Sequence, residues 1–184
     1  MWRGICKLLL KLAGWKPTNG VVPDKKAIII GVPHTSIWDF VYSYLYYTSV
    51  GGVANIVIKK EFFFWPLGPL LKKMGAIPID RTKGATVTKQ IISEMNSREV
   101  MHLAITPEGT REKNKKWKAG FHTIARATGA KVYLGIFDFE RKRIGWLEPF
   151  ELTDDAEADI KRMKAFYRNY NPRARYPEKF TAEE

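Results

Sequence analysis

Short apolar runs alternate with stretches of helical periodicity along most of the chain. The apolar runs are four to six residues long, bounded by polar or turn-forming residues, and predict strands: Ala27–Val32, Val53–Ile58, Ala76–Ile79, Val100–Ile105, Val132–Phe137 and Ile144–Leu147. The longer stretches predict helices: Ser36–Ser49, Pro66–Met74, Ala85–Met95, Ala119–Thr128 and Asp154–Tyr170. Strands that alternate with helices predict an α/β domain with a mainly parallel or mixed central sheet flanked by helices.

Residues 1–17 predict an additional, amphipathic helix with an unusual surface. Arg3, Lys7 and Lys11 recur every four positions and form one basic stripe. Large apolar side chains cover most of the rest: Trp2, Ile5, Leu8, Leu9, Leu12 and Trp15. The pattern suits a helix in the membrane interface with its basic stripe toward lipid phosphates. It also suits a helix packed on the protein's own core, so both interpretations stay open.

Length and composition indicate one folded domain over residues 1–184. Hydrophobic residues make up 45% of the chain, and no linker-like or repetitive stretch divides it. The single cysteine, Cys6, excludes an intramolecular disulfide and a cysteine-based zinc site. His34, His102 and His122 lack the spacing of metal ligands, so no metal is expected.

The uncharged stretch 40–58 is nearly as long as the roughly 20 residues that span a membrane. It contains four tyrosines and is interrupted by Gly51 and Gly52. We therefore expect a buried helix, a turn and a strand in this stretch rather than a membrane span.

The net charge of +12 favours acidic partners. Nucleic acid, anionic lipid and phosphorylated small molecules all meet this condition. The charge therefore favours a function that involves an acidic partner, but it does not select among these three classes of partner.

Polar residues follow the first predicted strand in the stretch GVPHTSIWDF. Ser36 and Asp39 fit the pattern [ST]-x-x-[DE] that caps the start of a helix. His34 and Asp39 can also meet, if the histidine lies in the loop and the aspartate in the first helical turn. Such a pair acts as a general base that takes a proton from an alcohol. Spacing alone favours the helix cap, and the two roles are compatible.

Charged residues follow two other predicted strands. GAIPIDR ends in Asp80 and Arg81, and TPEGTR places Glu108 and Arg111 in a tight turn. Arginine suits phosphate because its planar fork donates two hydrogen bonds at once. Each stretch alone is also explained as solvated charge at a strand end. In sheets of this class, however, ligands bind outside the carboxyl ends of the strands.

Together and in order, these stretches resemble the motifs of the glycerolipid acyltransferase family, typified by the 1-acylglycerol-3-phosphate acyltransferases. His34 and Asp39 match its H-x-x-x-x-D motif. A second motif that ends in Asp-Arg, a third that usually reads F-P-E-G-T-R-S, and a later lysine-glycine-aromatic stretch have counterparts too. Those counterparts are Gly75, Asp80, Arg81, Pro107, Glu108, Gly109, Thr110, Arg111, Lys118, Gly120 and Phe121. The resemblance covers roughly residues 27–140.

The resemblance implies transfer of a fatty acyl group from an acyl thioester to a hydroxyl of a lysophospholipid-type acceptor such as 1-acylglycerol-3-phosphate. The thioester is acyl-coenzyme A or an acyl group carried by acyl carrier protein, and no further cofactor is implied. His34 corresponds to the general base and Asp39 to its orienting partner. The implied substrate-binding residues are Arg81, Glu108, Gly109, Thr110, Arg111 and Lys118.

The same resemblance implies a peripheral membrane protein on the cytoplasmic face, active in phospholipid synthesis. Its expected partners are a membrane lipid surface, the thioester donor and the acceptor, and not nucleic acid. Thr106 and Glu112 stand where the family usually has phenylalanine and serine, and KVYLGIFDF lacks the family's usual proline. These differences leave the identity of the acceptor lipid open.

Two other function classes are alternatives to an active acyltransferase. A basic nucleic-acid-binding module would explain the charge and the many aromatic residues, but the chain has no RNP-type strand, GXXG loop or zinc-finger spacing. A lipid-binding protein without catalysis is the other alternative, although its His34 and Asp39 are intact.

Four consecutive aromatic residues, Phe62 to Trp65, follow Lys59 and Lys60. They cannot all point inward from a regular element, so part of this segment is expected to be exposed. A membrane-facing patch or the mouth of an acyl-chain groove is one interpretation. Core packing at a corner between a strand and a helix is the other.

Overall fold

The computed structural model describes residues 1–80 and 84–183 of the chain. Its α-helices are α1 Trp2–Leu12, α2 Ile37–Val50, α3 Leu67–Lys73, α4 Gly84–Ser97, α5 Gly120–Thr128 and α6 Ala156–Tyr170. Its strands are β1 Lys16–Pro17, β2 Lys26–Val32, β3 Ala54–Lys59, β4 Ala76–Ile79, β5 Met101–Ile105, β6 Lys131–Asp138 and β7 Arg143–Phe150. Short 3₁₀ turns cover Lys60–Phe62 and Pro177–Lys179.

The strands form one mixed sheet in the order β1-β7-β6-β2-β5-β3-β4. Neighbouring strands are parallel except β6 and β7, which form an antiparallel pair. The predicted α/β fold with a mixed sheet is therefore confirmed. Parallel strands with helical crossovers bring the carboxyl ends of β2, β5, β3 and β4 to the same edge of the sheet.

Alternation along β2 divides the core between the two faces of the sheet. Ile28 and Ile30 lie on one face in a cluster with residues of α4, α5 and α6, including Phe121 and Tyr167. Ala27 and Ile29 lie on the other face with Tyr46 and Tyr47 of α2 and with Leu10 of α1. Helices therefore cover both faces, and α1 packs outside α2.

Most predicted elements agree with the observed ones to within a few residues, but two features at one side of the sheet were not predicted. The two-residue strand β1 pairs with β7, although residues 1–17 were predicted as one helix. The helix in this range ends at Leu12, and Lys16 and Pro17 are strand instead. β7 continues through Pro149, which a strand predicted from Ile144–Leu147 omits. Proline is tolerated there because β1 pairs only with Arg143 and Ile144, so the far part of β7 is a free edge.

The helix α1 packs on the protein and exposes an apolar stripe at the same time. Its buried residues are Cys6 and Leu10, one turn apart. The exposed large apolar residues of α1 are Trp2, Ile5, Leu8, Leu9 and Leu12. Arg3 is not free for lipid, because its guanidinium donates to the carbonyl oxygens of Ser49 (3.0 Å) and Val50 (3.2 Å) at the end of α2. The expected basic stripe is thereby reduced to Lys7 and Lys11.

Parts of the aromatic segment are exposed, as expected. Phe62, Phe64 and Trp65 are 51%, 58% and 84% exposed, whereas Phe63 is half-buried. Within the described residues, no helix has the length and apolar character needed to cross a membrane.

A test of the packing between β2 and β6 uses Gly135→Ala. An added Cβ would lie 2.7 Å from the carbonyl oxygen of Ile30, a backbone atom that cannot move aside without disturbing the sheet. We expect the free energy of unfolding to fall by about 1–3 kcal/mol, measured by urea denaturation. Gly20→Ala is the control, since its Cβ would meet nothing within 4 Å. Equal stabilities of the two variants would contradict the packing.

Candidate active site

Two adjacent parallel strands bring the first and third motifs together. β2 pairs with β5, with Ile30 opposite Ile105 near their carboxyl ends. His34 follows β2 by two residues, and Glu108 follows β5 by three. Both loops therefore leave the sheet side by side at one edge.

The loop after β2 ends in a capped helix. Ser36 is the N-cap of α2, and its hydroxyl accepts a hydrogen bond from the Trp38 N–H (3.2 Å). The Asp39 carboxylate returns to the loop, where its Oδ2 accepts from the N–H groups of Thr35 and Ser36 (2.8 Å each). The predicted capping pattern is confirmed.

The same carboxylate holds the histidine. His34 Nδ1 lies 3.1 Å from Asp39 Oδ2, the oxygen that also accepts the two backbone N–H groups. With Asp39 as a carboxylate, Nδ1 carries the proton of this bond and Nε2 presents its lone pair. The His34 side chain is 18% exposed and that of Asp39 only 1%. Cap and histidine–aspartate pair thus coexist, and the ring nitrogen that would act as a base is the one left without a partner among the described residues.

Glu108 lies under the His34 loop rather than open to solvent. Its side chain is buried, and Oε1 accepts a hydrogen bond from the His34 N–H (2.7 Å). Burial raises the pKa of the Glu108 carboxyl to about 8, the negative charge of Asp39 adds to the rise, and the His34 N–H opposes it. The resemblance gave Glu108 a part in positioning the acceptor. Its direct contact in the structure is with the backbone of the histidine.

A lysine crosses the turn after β5. Gly109 has a left-handed backbone (φ 69°), which favours glycine. The Lys118 side chain lies close over it, with Cε 2.7 Å from where a Cβ of residue 109 would be. The Lys118 N–H donates to the Pro107 carbonyl (2.7 Å), which closes the loop on itself. Lys118 is exposed, and no carboxylate pairs with it among the described residues.

Asn114 holds the same loop from within and was not predicted. Its Nδ2 donates to the carbonyls of Glu108 (2.8 Å) and Lys116 (3.0 Å), and its Oδ1 accepts from the Lys116 N–H (2.9 Å). The signal available in the sequence was weak, an asparagine among lysines in a stretch without periodicity. These three hydrogen bonds connect the turn at Glu108 to Lys116, later in the same loop.

The remaining predicted site residues lie at the edge of this centre. Arg111 is exposed, and Thr110 is half-buried, with its hydroxyl accepting from the Glu112 N–H (3.2 Å). Arg81 lies outside the described residues. Its neighbour Asp80 follows β4, which is three strands from β2 and so roughly 14 Å along the sheet edge.

The described residues contain no group of three or more His, Cys, Asp or Glu side chains arranged to hold a metal ion. This edge of the sheet supplies a histidine base, the buried carboxyl groups of Asp39 and Glu108 beside it, and exposed cations.

Comparison with known proteins assigns this arrangement to a family. The profile of the Acyltransferase family matches residues 17–134, from before β2 into β6, and this range includes every motif residue described above. The chain belongs to this family. No curated protein matches the sequence.

A solved structure supports the fold of this acyltransferase. The crystal structure of the 1-acyl-sn-glycerophosphate (LPA) acyltransferase PlsC from Thermotoga maritima is similar, with a TM-score of 0.59 and 13% sequence identity. The match covers 95% of the present chain and 80% of that chain. The family assignment makes this protein an acyltransferase enzyme, in preference to the nucleic-acid-binding module that its charge also permitted.

The buried Glu108 carboxyl predicts a pH-dependent stability. Its pKa is about 8 in the folded protein and near 4.5 when solvated. Between these values the folded acyltransferase holds a proton that the unfolded chain has released, so stability is lost as pH rises. Glu108→Gln keeps an oxygen for the His34 N–H and has no proton to lose. We expect the free energy of unfolding of the native protein to fall relative to the variant between pH 5 and pH 8, by at most about 1.4 kcal/mol per pH unit.

Urea denaturation at each pH unit measures this difference. Glu61→Gln is the matched control, because it makes the same carboxyl-to-amide substitution at an exposed position. A difference between native protein and Glu108→Gln that stays constant from pH 5 to pH 8 would contradict the raised pKa.

Proposed function

We propose that this acyltransferase moves a fatty acyl group from an acyl thioester to a hydroxyl of a lysophospholipid-type acceptor. The observation that carries the proposal is the His34 imidazole, fixed by Asp39 at the carboxyl edge of the sheet with Nε2 unpartnered in the described structure. The structural neighbour from Thermotoga maritima is itself an LPA acyltransferase, which makes 1-acylglycerol-3-phosphate the first acceptor to test.

The geometry supports direct attack by the acceptor. Nε2 of His34 removes the proton of the acceptor hydroxyl as the oxygen adds to the thioester carbonyl carbon. The C–S bond then breaks, the ester forms, and the departing thiolate takes the proton from the imidazolium. Asp39 stabilises the imidazolium between these two proton transfers and keeps the ring in the correct tautomer. The buried Glu108 fixes the backbone from which the histidine projects.

Exposed cations around this base suit phosphate-bearing substrates. Arg111 and Lys118 follow Glu108 in the loop after β5, and neither pairs with a carboxylate among the described residues. A guanidinium or ammonium group there donates charge-assisted hydrogen bonds to a phosphate. Arg81 is proposed for the same role from its motif alone.

The donor is proposed to be acyl-coenzyme A or acylated acyl carrier protein. Both are acidic, and both are attracted by a protein of net charge +12. We expect no cofactor beyond this co-substrate.

The exposed apolar surface supports peripheral association with the membrane that holds the acceptor. The stripe on α1 and the exposed Phe62, Phe64 and Trp65 present large side chains that water disfavours. Lys7 and Lys11 lie beside the α1 stripe and suit anionic headgroups. We propose the cytoplasmic face, where acyl thioesters are made.

The catalytic proposal is tested by His34→Ala. Loss of the base is expected to lower kcat by about 10²- to 10⁴-fold. The assay follows thiol release from acyl-coenzyme A and from acylated carrier protein in the presence of liposomes and a panel of lysolipids. Comparing the lysolipids also ranks the acceptors. His122→Ala is the control, because that imidazole bonds the Thr153 carbonyl instead (3.0 Å). Acceptor-dependent release that persists undiminished in His34→Ala would rule out this mechanism.

The membrane proposal is tested by Leu8→Glu combined with Leu12→Glu. These side chains are 55% and 75% exposed, so charge at both positions is not expected to unfold the protein. Burying one leucine stabilises by about 1.5–3 kcal/mol, so binding to phosphatidylglycerol vesicles should weaken at least tenfold. The matched comparison is between two single variants, Leu12→Glu on the α1 stripe and Val100→Glu outside α1. Val100 is 54% exposed, so both changes place the same charge at an exposed apolar position. Equal vesicle binding by these two single variants would exclude the α1 stripe as the contact.

A further inference from the structure

After α6 the chain returns across the carboxyl edge of the sheet, in a segment that we call the C-terminal strap, residues 171–183. The Phe139 N–H, in the loop after β6, donates to the Arg173 carbonyl of the strap (2.8 Å). The Tyr176 N–H of the strap meets Thr35 Oγ1, in the loop after β2, at 3.3 Å. Thr35 is the neighbour of the histidine base, so the strap contacts the active-site loop directly.

The strap also contacts the loop after β5 through an ion pair. Lys179 Nζ lies 2.6 Å from Glu112 Oε1, and the strap residues Thr181 and Ala182 are buried. Lys164 of α6 donates to the Glu183 carbonyl (2.7 Å). Glu112 stands where the acyltransferase motif usually has serine. In this chain the glutamate at that position forms the ion pair with Lys179.

One cation of the strap is surrounded by aromatic rings. The guanidinium carbon of Arg175 lies 5.7 Å from the ring centre of Trp38 and 5.8 Å from those of Phe139 and Tyr176. Aromatic faces attract a cation and limit the orientations of its side chain. The Arg175 residue is nevertheless exposed, so the guanidinium is positioned without being enclosed.

The other two cations of the strap are paired with acids, and Arg175 is not. Arg173 lies 3.5 Å from Glu140, and Lys179 pairs with Glu112. Across residues 1–80 and 84–183, no carboxylate forms an ion pair with Arg175. Its hydrogen-bond donors are therefore available to an anion from outside the chain.

Two contacts connect Arg175 to the residues around the base. Its partner ring Trp38 precedes Asp39 in the first turn of α2. Its chain neighbour Tyr176 bonds Thr35, which follows His34. An anion bound by Arg175 is therefore held next to the loop that carries the imidazole.

We infer that Arg175 binds a phosphate group of a substrate and that the strap is part of the substrate-binding site. The inference deepens the proposed acyl transfer and rests on it. The phosphate belongs either to the acceptor headgroup or to the phosphopantetheine-bearing donor, and the chemistry of recognition is the same for both. A guanidinium fork suits either phosphate.

The test compares Arg175→Ala with Arg173→Ala, an equal loss of charge two residues away on the same strap. Each variant is assayed with 1-acylglycerol-3-phosphate and with the phosphate-free 1-acylglycerol as acceptors. It is also assayed with acyl-coenzyme A and with the phosphate-free acyl-N-acetylcysteamine as donors. We expect Arg175→Ala to raise the KM for one phosphate-bearing substrate by about 10- to 100-fold. The KM for its phosphate-free counterpart should change less than twofold, and Arg173→Ala should behave as native protein.

The four substrates identify the source of the phosphate. A rise confined to 1-acylglycerol-3-phosphate assigns Arg175 to the acceptor, and a rise confined to acyl-coenzyme A assigns it to the donor. Arg175→Lys keeps the charge and should recover part of the loss. Equal effects on phosphate-bearing and phosphate-free substrates, or equal effects of Arg175→Ala and Arg173→Ala, would overturn the inference.

A binding measurement separates this inference from the proposed function. Native protein without any turnover would count against the acyl transfer itself. Calorimetric titration of native and Arg175→Ala protein with coenzyme A and with micellar 1-acylglycerol-3-phosphate then tests Arg175 independently of catalysis. Weaker binding of one probe by the variant supports the inference. Equal binding by both proteins, or no binding by the native protein, overturns it.

Discussion

A single oxygen atom, Asp39 Oδ2, holds the start of α2 and the catalytic candidate His34 in one place. It accepts from two backbone N–H groups and lies within hydrogen-bond distance of the imidazole. The other oxygen, Oδ1, is buried without a hydrogen-bond partner in the described part of the chain. The negative charge is therefore stabilised through Oδ2 and the N-terminus of a 14-residue helix. The start of the helix and the orientation of the histidine depend on the same carboxylate, so the imidazole is held in a fixed position relative to α2.

The adjacency of β2 and β5 adds a second support to this arrangement. Residues 74 positions apart meet because the two strands end together, and the Glu108 carboxyl then reaches the His34 N–H. From the other face, Tyr167 of α6 donates to the Gly135 carbonyl (2.8 Å), and its ring lies 6.0 Å from that of Trp117. The loop after β5 therefore packs, through Trp117, against the last helix α6. The strap that follows this helix covers the same edge.

The motifs and most helices and strands could be predicted because each depends on local pattern. Ser36 and Asp39 predicted the helix start by their spacing. The position of the site residues just after predicted strands of a mainly parallel sheet predicted that they share an edge. The burial of Glu108 could not be predicted, since it depends on a contact across two strands. The turn between β6 and β7 gave no signal either, because its left-handed residue is Lys142 (φ 52°) rather than glycine or asparagine. The strap has no periodicity, and its contacts are all long-range.

The two interpretations of the N-terminal helix describe two faces of one element. Arg3 bonds the last turn of α2, while Trp15, just beyond α1, packs against Tyr42 in the first half of α2, with ring centres 4.6 Å apart. The two helices are therefore antiparallel, and the exposed stripe of α1 runs back along α2 toward the end that carries the site. α2 is about 21 Å long. If the stripe rests on a bilayer as proposed, α2 lies along the membrane surface with its first turn, and hence His34, directed to the same end as the exposed aromatic segment after β3. The packing of α1 on α2 thus links the proposed membrane contact to the position of the base.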